Sequence, residues 1–204
     1  IGWPDDVRPQ LLRLAEGSWN AAGPANGRME MGLARLQEMM ALLADIYDQN
    51  RVTPGGFAAK LIAAAHRGDI SRDTAIGMLA GYVVAAFETT ISAMAAGIWF
   101  FAHNPAEWAK LRADPRLAMG AANEIVRMET PLQNFARVTA TDVTLSDGTV
   151  LPEGARVILS YASANRDERQ FEQPDAFCID RREKQNLGFG HGPHGCAGQG
   201  LARM

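Results

Sequence analysis

Apolar residues recur at helical spacing from Arg8 to Trp19 and again from Met29 to Tyr47, where Leu33, Leu36, Met40, Leu43 and Ile46 trace one stripe. Two amphipathic helices are predicted, separated by the loop Ala22-Gly-Pro-Ala-Asn-Gly27. A Thr-Pro-Gly-Gly run between Asn50 and Phe57 breaks the pattern before a third helical stretch through Leu61 to His66. Ser71 is suited to cap a helix, and from there to about His103 the chain has no proline and few charges. That implies a helix of roughly 48 Å at 1.5 Å per residue. Its apolar residues cover every face, so it calls for burial in protein or in lipid. Ile76 to Ala102 is long enough to span a bilayer. Glu88 stands at the midpoint of that stretch, with Thr89 and Thr90 beside it. A central charge costs about 2.5–3.5 kcal/mol on insertion scales for the comparable Asp, Lys and Arg, so a buried helix of a soluble protein is expected and no membrane.

After Asn104-Pro105 the pattern predicts a short helix around Trp108 to Arg112 and another from Leu117 to Met128, ended by Thr130-Pro131. The chain then changes character. Val138, Val143, Leu145, Val150, Val157 and Leu159, with turns at Asp147-Gly148 and Glu153-Gly154, predict short strands of a small antiparallel sheet. From Asn165 to Gln185 the sequence is polar and irregular, and from Leu187 to Gly200 it is rich in glycine. The expected fold class is mainly α with small antiparallel β-sheets.

At 204 residues and 47% hydrophobic composition, the chain can bury one sizeable core, and a single domain over residues 1–204 is expected. It opens on Ile1 and stops at Met204 within a helical pattern, which suggests part of a larger domain. A net charge of −3 gives no reason to expect nucleic acid, and a small molecule or a protein is the expected partner. Only Cys178 and Cys196 are present, in very different surroundings, so a disulfide framework is not expected and a reducing cytoplasm fits.

The strongest chemical signal is Leu187-Gly-Phe-Gly-His-Gly-Pro-His-Gly-Cys-Ala-Gly-Gln-Gly-Leu-Ala-Arg203. Its five glycines from Gly188 to Gly198 let the backbone lie close against a flat ligand. Cys196 stands just before a helical stretch, where unpaired N–H groups and the helix dipole favour a negative sulfur. A zinc knuckle competes with a thiolate site, since His191, His194 and Cys196 are all potential ligands, although no fourth ligand lies at finger spacing. A buried structural cysteine in a glycine loop also competes. Elsewhere, Glu124 and Arg127 lie three residues apart on one helical face, which is usually a surface pair. The polar trio of Glu88, Thr89 and Thr90 within an apolar helix must find partners or water, or bond back to its own helix.

Phe189, Gly192, Cys196 and Gly198 stand at the spacing Phe-x-x-Gly-x-x-x-Cys-x-Gly, and in this the chain resembles the cytochrome P450 family. The resemblance implies that fold, a haem b (iron protoporphyrin IX) cofactor, and Cys196 as the thiolate ligand to the haem iron. It further implies that His194 contacts one haem propionate and Arg137 a second, and that Phe189 shields the sulfur side. Gly190 and Ala86 would also border the cofactor, and Gly198 would let the next turn approach closely. Glu124-Ile-Val-Arg127 is similar to the family's buried Glu-x-x-Arg pair, which joins the loop preceding the cysteine. Many members add an arginine from a Pro-x-Arg-Phe segment, and here Ala176 of Pro174-Asp-Ala-Phe177 stands in its place.

Ala85-Ala-Phe-Glu-Thr-Thr90 is similar to the family's Ala-Gly-x-(Asp/Glu)-Thr-Thr. By that resemblance Glu88 and Thr89 are the acid and alcohol of a proton relay, with a kink or π-bulge opening the helix there. Leu132, Gln133 and Phe135 occupy the stretch that lines the substrate pocket. The implied activity is monooxygenation of a small organic substrate, with electrons from NAD(P)H through a ferredoxin or flavodoxin. Phe87-Glu-Thr-Thr-Ile-Ser92 together with Cys196-Ala-Gly-Gln199 is faintly similar to members that oxidise small aromatic acids. A peroxide-using haem-thiolate enzyme and a non-catalytic haem carrier or sensor are the alternatives. The Glu88-Thr89 pair speaks against the first of these, and turnover distinguishes the second.

Overall fold

Proline at the first turn starts helix α1 (Arg8–Ala15), which closes earlier than its apolar pattern predicts. The cause is Gly17, whose φ of 70° turns the chain into the left-handed region and leads into a 3₁₀ stretch over Ser18–Ala22. These elements come from a computed structural model that describes residues 1–183 and 185–203. Asn26 then caps α2 (Gly27–Asp48) by accepting the N–H groups of Arg28 and Met29, a device worth about 1 kcal/mol. Helix α3 covers Phe57–His66 and α4 covers Arg72–His103. Ser71 Oγ accepts the N–H of Thr74 at 3.0 Å and so caps α4 as its position suggests.

The chain forms two compact units, Ile1–Glu88 and Thr89–Met204, with α4 contributing to both. The first is held by Leu11, Leu14, Met39, Leu43, Ile46, Ile62, Leu79 and Val83, all essentially inaccessible to solvent. Each such side chain stabilises the fold by about 1.5–3 kcal/mol. The inner stripe of α2 differs at its start from the predicted one, because Leu33 is exposed and Gly32 is buried in its place. Gly32 is there because a Cβ would come within 2.6 Å of the Ala21 backbone nitrogen, so α2 meets the 3₁₀ stretch backbone to backbone.

On α4 the buried residues of this unit are Ala75, Ile76, Leu79, Ala80 and Val83, a helical stripe and not a full circumference. Farther along, Ile91, Met94, Ile98 and Trp99 are 49%, 59%, 75% and 57% exposed. Among the described residues, then, the other segments cover part of this helix and not every apolar face. Nor is the helix opened near Glu88: it is continuous α-helix throughout, with no π-turn.

In the second unit, Phe100 stacks on Phe177 at 5.1 Å and Phe101 meets the same ring edge-on, with Ile179, Ala121 and Met128 completing the core. Gly97 lets α4 approach Ile125, whose Cδ1 would lie 2.9 Å from an added Cβ. Ile125 belongs to α6 (Ala118–Glu129), which follows α5 (Pro105–Ala113) and a 3₁₀ turn at Pro115–Leu117. The β residues form two antiparallel pairs. Strand β1 (Asn134–Val138) pairs with β4 (Arg156–Ser160), and β2 (Val143–Thr144) pairs with β3 (Val150–Leu151). Val138, Val143, Leu145 and Val150 are all exposed, so no common buried face aligns the two pairs into one layer. A short helix α7 (Tyr161–Ala164), a long irregular segment and α8 (Gln199–Ala202) complete the unit.

Candidate functional site

Helix α6 buries charges on its inward face. Glu124 and Arg127 are 2% and 1% exposed, at the i, i+3 spacing that brings their side chains together. The contact is bidentate, with Arg127 Nε donating to Glu124 Oε2 at 2.8 Å and Nη2 to Oε1 at 2.9 Å. Arg127 also donates to the carbonyls of Asn165 at 2.7 Å and Pro174 at 2.8 Å, and its guanidinium lies over the Phe171 ring. Glu124 in turn accepts the N–H of Cys178 at 3.0 Å. The pair thus holds the irregular segment as a scaffold would hold a loop with no ladder of its own.

The place vacated by Ala176 is filled from five residues farther on. Arg181 is 7% exposed and donates from Nε to both oxygens of Glu124, at 3.1 and 3.2 Å. Its other nitrogens donate to the carbonyls of Glu172, Gln173 and Ala176. Burial is the strongest influence on the Glu124 carboxyl and pushes its pKa up. The hydrogen bond and charge of Arg127, the Cys178 N–H and Arg181 together outweigh burial and hold it below the ordinary value.

The same helix positions the cysteine loop. A Cβ on Gly188 would fall 2.5 Å from Val126 Cγ1 and 2.9 Å from its carbonyl oxygen, so only glycine lets the loop rest on α6 there. Leu187 N–H donates to the Asn165 side chain at 2.6 Å, and Asn165 Nδ2 donates to Thr130 Oγ1, whose own hydroxyl donates to the Arg127 carbonyl. Beyond the cysteine, Arg203 donates to Asn123 of α6 at 2.9 Å and lies over the Phe189 ring at 4.8 Å. The loop is fastened to α6 before and after Cys196. Within it, Cys196 N–H donates to the Phe189 carbonyl at 2.8 Å, and Gly190 and Gly192 take φ of 68° and 69°.

Cys196 is a free thiol, and every residue from His191 to Gly198 is exposed, His194 included. Gly198 has φ −88° and needs no special conformation. Its value lies in what is missing, because a Cβ there would stand 3.8 Å from Cys196 Sγ. Cys178 is the opposite case. Its thiol donates to Asp180 at 3.0 Å, and burial, with Asp180 and Glu107 adding to it, pushes its pKa up. Of the two sulfurs, only that of Cys196 stands on an open, glycine-lined face that a flat metal macrocycle could cover. The chain therefore fits a haem with one thiolate ligand.

The other residues singled out in the sequence are spread over separate elements. Arg137 is half-buried on β1, with its guanidinium 5.1 Å from the Phe135 ring and Nη1 on the Ala136 carbonyl. Phe135 is 39% exposed and lies near Tyr161. Leu132 is half-buried, and Gln133 is exposed, with its carbonyl accepting the Ala162 N–H. On α4, Ala86 is exposed and Glu88 and Thr89 are half-buried, with Glu88 Oε1 accepting the N–H of Gly17 at 2.5 Å. Sequence reasoning missed Arg181, Asn165 and Gly17. An arginine and an asparagine in a polar irregular stretch carry no periodic signal, and a turn glycine gives no hint that its amide serves a residue 71 positions away.

Comparison with known proteins supplies the frame for this geometry. The family model for cytochrome P450 matches residues 39–204. The chain is 37% identical to cytochrome P450 CYP199A2 of Rhodopseudomonas palustris, over all of this chain and 49% of the relative. It is also 37% identical to cytochrome P450 107B1 of Saccharopolyspora erythraea, over 98% of this chain and 48% of the relative. Among solved structures it is similar to Mycobacterium smegmatis CYP164A2 with econazole bound, with a TM-score of 0.88 and 28% identity. That match covers 98% of this chain and 52% of the other. It is likewise similar to P450BioI in complex with a fatty-acid-ligated acyl carrier protein, with a TM-score of 0.87 and 28% identity over 98% of this chain and 52% of the other. The chain spans about half the length of the relatives it matches.

Proposed function

The chain belongs to the cytochrome P450 family, and on that premise we propose that it acts as a haem-thiolate monooxygenase. One observation carries the reading: an exposed, free Cys196 on a glycine loop fastened to α6 before and after it. Haem, when bound, supplies the oxygen-activating chemistry, so that dioxygen, two electrons and two protons give one inserted oxygen atom and one water. The protein supplies the rest. Cys196 Sγ would ligate the haem iron, with Phe189 beside it and Gly190 and Gly198 leaving room for the macrocycle. His194 and Arg137 would hold the propionates, and Ala86 would border the cofactor. Glu88 releases a proton from its carboxyl and Thr89 Oγ1 passes it on. Leu132, Gln133 and Phe135 line the pocket of a small organic substrate, and the wording of the α4 and cysteine motifs favours an aromatic one.

The relatives align across both compact units, which supports one domain over residues 1–204. Electrons come from NAD(P)H through a ferredoxin or flavodoxin. The protein works in the cytoplasm, where thiols stay reduced. The test is the carbon monoxide difference spectrum of the reduced protein. A thiolate-type spectrum is expected in the unaltered protein and in Cys178→Ser, with its loss in Cys196→Ser. A thiolate spectrum surviving Cys196→Ser would remove the assignment.

A further inference from the structure

We propose that the backbone N–H of Gly17 is a positioning group for Glu88, so that the turn after α1 belongs to the proton-delivery apparatus. The proposal rests on the reading of Glu88 as a relay acid. Its physical basis is the hydrogen bond from Gly17 N to Glu88 Oε1, at 2.5 Å, between groups 71 residues apart. A donor to an ionised carboxylate makes a shorter and stronger bond than a neutral pair. A glutamate side chain on a helix surface has three rotatable bonds and wanders unless something fixes its end. Here one oxygen is fixed by a main-chain donor, which leaves Oε2 for proton exchange.

The donor itself cannot wander. Helix α1 ends by spending the Glu16 N–H on the Leu12 carbonyl; Glu16 then takes ψ 119°, which aims the Gly17 N–H away from the α1 ladder, and Gly17 turns the following chain left-handed. The turn is braced behind that amide. Ser18, only 4% exposed, donates its hydroxyl to the Ala15 carbonyl at 2.8 Å, and the Arg35 guanidinium donates to the Glu16 carbonyl. The following 3₁₀ stretch is pressed onto Gly32 of α2 with no space for a methyl group. Gly17 is itself constrained: a side chain would be strained at φ 70°, and its Cβ would meet Arg35 Nη1 and Asn20 Nδ2 at 3.1 Å. The acid in the middle of α4 is thus held by a preorganised amide from a different element, the arrangement by which positioning residues act.

Two measurements on the haem-loaded enzyme test this. In the glycine-labelled, carbon monoxide-bound ferrous protein, the Gly17 amide proton resonates far downfield and moves upfield in Glu88→Ala. An unmoved resonance would show that the bond does not form and would overturn the proposal whatever Glu88 does. In turnover, Gly17→Val displaces the amide and lowers product formed per electron consumed, by up to about 10²-fold for an ångström of misplacement. Gly17→Asn, which adopts the left-handed turn more readily but still brings a Cβ against Arg35 and Asn20, lowers coupling less than Gly17→Val. In a Glu88→Ala background, Gly17→Val causes no further loss. Full coupling in Gly17→Val with uncoupling in Glu88→Gln would refute positioning while leaving the relay intact. Full coupling in Glu88→Gln itself would refute the relay. If Gly17→Val does not fold, the amide resonance of the unaltered glycine still decides the matter.

Discussion

A single buried carboxylate, Glu124, gathers donors from three separate places in the second unit, and its chemistry contributes to how that unit responds to acid. It accepts from Arg127, Arg181 and the Cys178 N–H, and its pKa is held below the unfolded value of about 4.3. The sign follows from linkage. A carboxyl with a depressed folded pKa contributes stability that is complete above the unfolded value and disappears as pH falls through the folded one. Urea unfolding followed from neutral pH into the acid range is expected to show that loss beginning near pH 4 to 5, roughly. Glu124→Gln should make this slope shallower and not abolish it, because the carboxyls of Asp114, Asp147, Asp167 and Asp180 are also held below the ordinary value. Arg181→Ala is the companion prediction. It leaves Glu124 with one guanidinium in place of two and strips donors from the carbonyls of Glu172, Gln173 and Ala176. A destabilisation of about 1–3 kcal/mol, with faster loss of haem, is expected from denaturation and haem-release measurements, since Arg127 still pairs Glu124 and the cost is that of the carbonyls left without donors. An Arg181→Ala protein as stable as its parent would return the burden to Arg127 alone.

At the scale of elements, what was legible in the sequence follows from which signals are local. Helices α2, α3, α4 and α6 fall within a few residues of their periodic patterns, because a buried stripe repeats every few positions. Apolar spacing carries helix α1 past its true end, because Gly17 acts through a backbone torsion that hydrophobic spacing does not register. Alternation identifies the strands of the small antiparallel sheets and is silent on which strands share a layer. The cysteine loop was legible because glycine, histidine and cysteine spacing is itself the signal. Arg181 was not, since its role is fixed by a contact 57 residues away.

Helix α4 gives the prediction at this scale. The chain stays regular through Glu88 and Thr89, so the proposed relay would have to work through side chains and water and not through a broken helix. Thr89→Ala should therefore leave haem content and helicity unchanged while lowering product formed per NAD(P)H consumed. The ratio of the two is the measurement, and an unchanged ratio would move the relay off this helix.

For the molecule as a whole, the decisive quantity is apolar surface with nothing over it. Ile91, Met94, Ile98 and Trp99 recur along α4 at spacings of three, four and one, and each exposes about half or more of its area. Patches of this kind on a soluble chain mark an interface or a liability to associate. The lipid alternative for α4 does not account for its middle, where Glu88 takes the Gly17 amide inside a folded protein unit. These 204 residues on their own should therefore self-associate, with an apparent mass that rises with concentration in analytical ultracentrifugation and with strong binding of a hydrophobic dye. Charged replacements at Ile98 and Met94 should reduce both, since they break the patch without touching the buried stripe at Ala75, Ile76, Leu79, Ala80 and Val83. A monodisperse, dye-silent monomer from the unaltered chain would mean that α4 covers this face by packing differently from the arrangement described, and the exposure of Ile98 would be the first feature to reconsider.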